Sequence, residues 1–232
     1  MINWLTIAVI AILLLELLIG WNKGLVRMVF SFAISIITLV IIWIGSPYVE
    51  EYVKENTHVY EKIEENVTAF VQTNLQQNVS EITKTQEESI IGELPLPTFI
   101  QNILIKNNAA DQFVTTQTNG LAASISRSLT DIVFRILIYT AMFVVISLIL
   151  RIGLLILDIV TKLPGIHLAN AVGGAAFGFV NALIFIWILC MIVTVMASTQ
   201  FGMNTLAMIK ESPFLSFIYN NNLLLQFIVA VL

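Results

Sequence analysis

Few residues in this 232-residue chain could carry chemistry, and the first of them is a carboxylate within an apolar run. Glu16 lies near the end of the run from Ile2 to Ile19. A charged side chain is costly inside a bilayer, so an intramembrane carboxylate is by default a candidate for proton or ion relay. Glu16 also lies one turn before Gly20, near the membrane boundary, where its carboxylate can pair with Lys23, Arg27 or Arg151 or turn toward water. We favour this anchoring role over a relay or a contact with a partner protein.

A second pair of charges begins the third apolar run. Asp131 and Arg135 are four residues apart, so they can form an ion pair on one face of a helix. Together with Glu16 and Arg27 they make up the candidate intramembrane polar site of the chain. We expect Asp131 and Arg135 to be a satisfied pair at the membrane interface rather than a gate.

Metal and nucleophile chemistry have weak support in the sequence. His58 has Glu55 three residues before it and Glu61 three residues after it, a spacing that could present three ligands on one helix face. A solvated polar face is the favoured interpretation. The sequence has no nucleophile elbow and no P-loop, and its single cysteine, Cys190, allows neither an intrachain disulfide nor a two-cysteine metal site. We therefore predict a protein that is not an enzyme, with no catalytic residue, metal or cofactor.

The elements that position these residues are membrane helices. The chain is 58% hydrophobic and 11% charged, whereas soluble domains carry about 45–50% apolar and about 25% charged residues. Charge is nearly absent from four long runs, Ile2–Ile19, Leu25–Ile44, Ile132–Ile152 and Ala171–Ala197, each about long enough to cross a bilayer as a helix. The predicted fold class is all-α, a polytopic protein of four transmembrane helices with the lipid bilayer as its partner. The net charge of −4 argues against a nucleic-acid partner.

The regions between and after the spans complete the predicted organisation. Residues 1–45 form transmembrane hairpin 1, residues 46–128 an acidic extracytoplasmic helical segment, residues 129–198 transmembrane hairpin 2, and residues 199–232 a C-terminal interfacial or re-entrant helix. Apolar spacing of three and four residues predicts amphipathic helices over about 47–77 and about 99–121. The run Asn220 to Asn222 would be costly in the bilayer core, so a fifth span over residues 214–232 is disfavoured.

The basic residues set the expected orientation. Short loops rich in Lys and Arg stay in the cytoplasm. Lys23 and Arg27 mark the first short loop, and Arg151 and Lys162 mark the second, on the same side of a four-span bundle. Residues 46–128 and both termini are therefore expected outside the cytoplasm, where the acidic segment can meet an envelope or secretion partner.

A stripe of small residues runs along the fourth span, after a turn at Pro164 and Gly165. Its members recur every four residues and are Asn170, Gly174, Gly178 and Ala182. The GxxxG pair lets another helix backbone come close, and in a bilayer such packing drives helix association. We predict that the stripe packs the two hairpins together, and it can also support a homo-oligomer. The turn of the first hairpin contains Gly20, Lys23 and Gly24.

Three segments of the chain resemble a known family. The turn GWNKGLVRMVFSF (residues 20–32), the segment LPGIHLANAVGGAAFGFVNAL (163–183) and the tail ESPFLSFIYNNNLL (211–224) are similar to the colicin V production protein family. The likeness is carried by the two glycine-containing turns and by an Asn that precedes a Gly-x3-Gly helix. The first turn has one basic residue between its glycines where the family often has two. The middle segment is also longer and more acidic than the family pattern suggests.

The resemblance implies a small bacterial inner-membrane protein of about four spans, with a role in production or export of a peptide toxin and in envelope homeostasis. We expect a non-enzymatic scaffold or accessory factor. The alternative is a small transporter or channel subunit with a polar path near Glu16 and Asn170. The sequence favours the scaffold because polar residues within the spans are few. The two hypotheses differ in whether a change at Gly174 or a change at Glu16 is the more damaging.

Overall fold

The chain is almost entirely helical over the residues that its computed structural model describes, which are 3–75, 91–92, 96, 98–111, 118–156 and 167–230. These ranges contain no strand. The helices with defined bounds are α1 (Trp4–Lys23), α2 (Leu25–Asn56), α3 (Val59–Leu75), α4 (Thr98–Asp111), α5 (Thr118–Ile156), α6 (His167–Val195), α7 (Gln200–Glu211), α8 (Pro213–Asn220) and α9 (Leu223–Ala230).

Four of these helices are long and apolar enough to cross a membrane. They are α1, α2, the Ile125–Gly153 part of α5 and the Leu168–Val195 part of α6. Their outward faces carry large exposed apolar side chains, among them Leu14, Ile37 and Phe185. Such faces suit a lipid environment. The predicted all-α class with four transmembrane helices is confirmed.

The link between α1 and α2 is one residue long. Gly24 follows α1 and precedes α2 with a φ of 79°, and its N–H donates a 2.9 Å hydrogen bond to the Gly20 carbonyl. Glycine reaches this left-handed region without a steric penalty. The turn is narrower than expected, because Gly20 and Lys23 belong to the last turn of α1 and Gly24 alone redirects the chain. The second predicted turn, at Pro164 and Gly165, lies outside the described residues.

Helix α6 is the element against which both N-terminal helices pack. α1 runs antiparallel to α6 and has its most extensive contact there. α2 runs parallel to α6, with Leu25 beside Gly173 and Phe32 beside Phe177. α5 packs against both α2 and α6. Contact between α1 and α2 is slight, so the first two spans are held together mainly through α6.

Helices α2 and α5 are longer than their predicted spans. They contain 32 and 39 residues, equivalent to about 48 and about 58 Å of helix, against a bilayer core of about 30 Å. α2 continues through Pro47, and the amphipathic helix expected from that residue begins instead at Val59. A proline removes one backbone hydrogen bond, but contacts with α5 on both sides of it keep α2 helical. The predicted boundaries at 45/46 and 128/129 thus fall within continuous helices.

The outer helices α3 and α4 pack on the extended part of α5. α3 buries Val67, Phe70 and Val71, which share one helix face, and α4 buries Ile100 and Leu104. This pattern agrees with the amphipathic character predicted for both segments. Within the second predicted segment, α4 covers residues 98–111, residues 112–117 lie outside the described ranges, and residues from 118 onwards belong to α5.

The C-terminal segment folds into three short helices rather than one. Ser212 caps α8 with its hydroxyl, and Pro213 takes the first helical position, as the order of these residues predicts. Asn222 caps α9 by accepting a 3.0 Å hydrogen bond from the Leu225 N–H, and its Nδ2 donates to the Trp187 carbonyl (2.9 Å). α8 and α9 have eight residues each, about 12 Å, so neither is long enough to cross the bilayer.

Candidate functional site

The glycine stripe of α6 meets the end of α1 backbone to backbone. A Cβ atom at Gly174 would collide with the carbonyl oxygen of Gly20, and one at Gly178 would collide with the carbonyl oxygen of Glu16. Glycine allows this approach because it has no side chain to hold the two helices apart. The next member of the stripe, Ala182, is fully buried. Gly174 and Gly178 therefore lie in the contact between α6 and α1.

Asn170 lies at the end of the same contact and caps α2. Its Oδ1 accepts a 2.9 Å hydrogen bond from the N–H of Leu25, the first residue of α2. The first N–H groups of a helix have no partner within the helix, and Gly24 has no side chain that could supply one. A side chain of α6 therefore caps α2. The Asn170 amide also fills the space that a Cβ at Gly24 would need.

The two glycine motifs of the sequence thus form one structural unit. We call this unit the inner joint, and it consists of Gly20, Gly24, Asn170, Gly174 and Gly178. In this unit the stripe is covered by α1 of the same chain. A homo-oligomer through the stripe stays a prediction, and a second copy would have to use another face of this bundle or displace α1.

The predicted intramembrane polar site is divided between the two ends of the bundle. Glu16 is half-buried and Arg27 is exposed, both near the inner joint, and no ion pair involving either is seen among the described residues. Arg135 instead lies beside Glu50. About 34 Å of α2 separates Arg27 from Glu50, so the four predicted residues cannot act as one site.

Asp131 and Arg135 each pair with α2 rather than with the other. Arg135 Nη2 lies 3.5 Å from Glu50 Oε2, and only 22% and 16% of these side chains are exposed. Asp131 Oδ1 lies 3.7 Å from Lys54 Nζ. Two pairs between helices thus replace the expected pair along α5. These pairs form because Glu50 and Lys54 are four residues apart, as Asp131 and Arg135 are, and carry the opposite charges. The two helices are antiparallel, so both pairs can form at once.

Tyr60 of α3 joins this group. Its hydroxyl donates a 2.7 Å hydrogen bond to Asp131 Oδ1, and its ring packs edge-on against Phe134 with 5.2 Å between centroids. Lys54 Nζ lies 4.4 Å from the Tyr60 ring centre. Burial and the Asp131 carboxylate raise the pKa of Tyr60, so the hydroxyl remains a hydrogen-bond donor at neutral pH. These contacts hold α3 on α2 and α5.

Two of the three possible metal ligands around His58 form an exposed pair on the surface. His58 Nδ1 lies 2.9 Å from Glu61 Oε2, with 85% and 73% of the two side chains exposed. Across the described ranges, no three His, Cys, Asp or Glu side chains are grouped in a way that could hold a metal ion. The exposure of His58 and Glu61 agrees with a solvated polar face at this position.

The α5 and α6 residues of the contacts at the two ends of the bundle lie in a segment that matches a known family model. The model described as colicin V production protein matches residues 108–222, about half of the chain. The matched part includes Asp131, Arg135 and the α6 side of the inner joint. The chain belongs to the colicin V production protein family. Its four apolar helices make it a membrane protein of that family and fit a location in the inner membrane. No curated protein and no solved structure matches the chain.

The sequence analysis did not identify the α2 residues that pair with α5 in this family member. Ser46 donates a 2.8 Å hydrogen bond to the Tyr139 hydroxyl, one turn inward from the Glu50 pair. The resulting outer ladder consists of Ser46, Glu50 and Lys54 on α2, paired with Tyr139, Arg135 and Asp131 on α5. The sequence does contain a signal for these α2 residues. Polar residues recur every four positions on both sides of Pro47, and this spacing favours an uninterrupted helix.

We expect Asn170→Leu to lower the free energy of unfolding by about 1–2 kcal/mol, because α2 loses its cap. Asn170→Asp keeps the Oδ1 acceptor and should cost less. Thermal unfolding of the purified protein in detergent measures both, and Ala169→Leu, at an exposed neighbour, serves as the control. Equal losses for Asn170→Leu and Asn170→Asp would show that the cap is unimportant.

Reversing one charge of the Glu50–Arg135 pair should destabilise the protein, and reversing both should restore part of the lost stability, because Lys54 and Asp131 then lie one turn from like charges. Breaking a buried ion pair costs about 3–5 kcal/mol, and the small residual exposure of Glu50 and Arg135 places the single variants near the lower figure. The variants are Glu50→Arg, Arg135→Glu and their combination, measured by thermal unfolding. Glu61→Lys, in the exposed His58 pair, should change little. A double variant no more stable than the single variants would contradict the pairing.

Proposed function

We propose that this chain is a non-enzymatic membrane scaffold or accessory factor in the production or export of a peptide toxin and in envelope homeostasis. One observation carries the proposal: three polar residues, Asn170 at one end of the bundle and Asp131 and Arg135 at the other, join helices to each other. Asn170 caps α2, Arg135 pairs with Glu50, and Asp131 lies beside Lys54. Such use of polar groups suits a framework for other proteins better than a site that processes a substrate.

The surface proposed to meet a partner is formed by the end of α2 and by α3. Its exposed carboxylates are Glu51, Glu55, Glu61, Glu64 and Glu65. A surface with an excess of one charge steers partners of the opposite charge towards it. We therefore propose that an envelope or secretion protein with a basic contact surface binds on this side.

The proposed orientation rests on the basic residues around the inner joint. Lys23 and Arg27 are exposed at this end, and short basic loops stay in the cytoplasm. Residues 46–128 and both termini would then lie outside it.

An alkaline phosphatase fused between residues 80 and 90 should therefore be active, because that enzyme folds to its active form outside the cytoplasm. A fluorescent protein that matures in the cytoplasm, fused at the same position, is the matched control and should stay dark. A bright fluorescent fusion with an inactive phosphatase fusion would reverse the orientation.

The alternative, a transporter or channel subunit with a path near Glu16 and Asn170, gains no support from the geometry of these residues. The Asn170 Oδ1 is engaged by the Leu25 N–H, and the Glu16 main chain is pressed against Gly178. Asn170 therefore takes part in the contact between α2 and α6, and the Glu16 main chain in the contact between α1 and α6, where a path would need open space.

The two functions are separated by variants tested in a bacterium that exports a peptide toxin and lacks the native copy. Gly174→Leu should fail to restore export, because a side chain there forces α1 away from α6. Gly153→Leu should restore export, since no atom of the described residues lies within 4 Å of a Cβ at that position. Glu16→Gln should also restore it. A purified protein that passes ions or small solutes in liposomes, with flux abolished by Glu16→Gln, would overturn the scaffold proposal.

A further inference from the structure

The lipid-facing side of α2 continues into exposed aromatic residues beyond the apolar part of the helix. Ile37, Ile41 and Ile44 are exposed at steps of three and four residues. Tyr48 and Tyr52 follow at the same spacing and are 74% and 66% exposed. All five residues therefore lie on one side of α2. Whatever surrounds the three isoleucines also reaches the two tyrosines.

The tyrosines lie at the surface of the bilayer. The run from Leu25 to Ile44 makes about 30 Å of helix, which is the thickness of the hydrocarbon core. Tyr48 follows about 6 Å beyond Ile44 and Tyr52 about 12 Å beyond it. Side chains of a helix tilt toward its N-terminus, which at this point of α2 is the direction of the membrane. Both rings therefore reach back into the layer of lipid headgroups, whichever side of the membrane this end of the bundle faces.

A carboxylate lies among these rings. Glu51 is exposed and comes three residues after Tyr48, and Tyr52 comes four residues after Tyr48, so all three are neighbours on the helix surface. We call this group the aromatic face. Its carboxylate repels a phosphate, whereas a cation is attracted by the carboxylate and by the π faces of the rings. The aromatic face thus suits a positively charged group.

The outer ladder shows how this chain holds such a group. The Lys54 ammonium lies 3.7 Å from the Asp131 carboxylate and 4.4 Å from the centre of the Tyr60 ring. One carboxylate and one tyrosine ring therefore hold one ammonium. The aromatic face offers a carboxylate and two rings, and none of its side chains has an ionic or ring partner in the part of the chain that the structure describes.

We propose that the aromatic face binds a phospholipid whose headgroup ends in a primary ammonium, such as phosphatidylethanolamine. Glu51 pairs with the ammonium, and Tyr48 and Tyr52 place their rings against it. The acyl chains of the same lipid lie along the exposed isoleucines of α2. The exposed carboxylates of α3 remain free for the protein partner proposed above, so lipid and partner can bind at the same time.

Native mass spectrometry of the full chain in detergent measures this binding. With identical acyl chains, phosphatidylethanolamine should bind about two- to fivefold more tightly than phosphatidylglycerol, as expected for a cation at an exposed ring. Glu51→Gln and Tyr52→Leu should each remove most of this preference, and Tyr52→Phe, which keeps the ring, should retain it. Glu65→Gln, at an exposed carboxylate of α3, changes the net charge equally and should bind both lipids as the native chain does.

Three outcomes would overturn the proposal. Equal binding of the two lipids by the native chain would show that the tyrosines are only general anchors at the membrane interface. A preference unchanged by Glu51→Gln would place the lipid elsewhere. A protein that copurifies with the native chain and is lost in Glu51→Gln, with the bound lipid unchanged, would assign the face to that protein. The substitutions are at exposed positions, so the Tm of each variant should stay within about 2 °C of the native value.

Discussion

The arrangement of the bundle depends on how closely α1 can approach α6. In lipid there is little hydrophobic gain from bringing two apolar helices together, so their association relies on van der Waals contact and hydrogen bonds. Gly20, Gly174 and Gly178 remove the side chains that would keep the two backbones apart. The start of α2 then follows, because Asn170 reaches the Leu25 N–H only when Gly24 lies against α6. One close contact therefore sets the relative positions of three helices.

The outer ladder has a complementary role at the other end, where it sets the register between α2 and α5. Its charges alternate along each helix, so a slip of one turn in either direction is unfavourable. One slip would bring Lys54 to Arg135, and the other would bring Glu50 to Asp131. Polar groups that specify a register in this way are the best-attested use of buried ion pairs. Backbone contact thus determines one end of the bundle, and charge determines the other.

Composition and local spacing were sufficient to predict the four spans and to single out the small residues of α6. Each of these features is contained within a short stretch of sequence. The spacing of residues along one helix does not show which other helix packs against it. Gly174 and Gly178 indicate that a backbone comes close without indicating that it is α1. Asp131 and Arg135 can pair with each other by spacing, but the antiparallel α2 offers them better partners. Pro47 suggested a helix end because its effect is local, whereas the contacts that outweigh it come from α5.

The cap of α2 is supplied by a residue that lies 145 positions later in the chain. Synthesis proceeds from the N-terminus, so the first two helices reach the membrane well before α6 has been made. In that interval the Leu25 amide can bond only to water or lipid headgroups. Folding of the N-terminal half is thereby coupled to completion of the C-terminal half. A nascent chain interrupted before Asn170 would leave its first two helices without α6 to pack against. Membrane proteases can recognise such a form as incomplete.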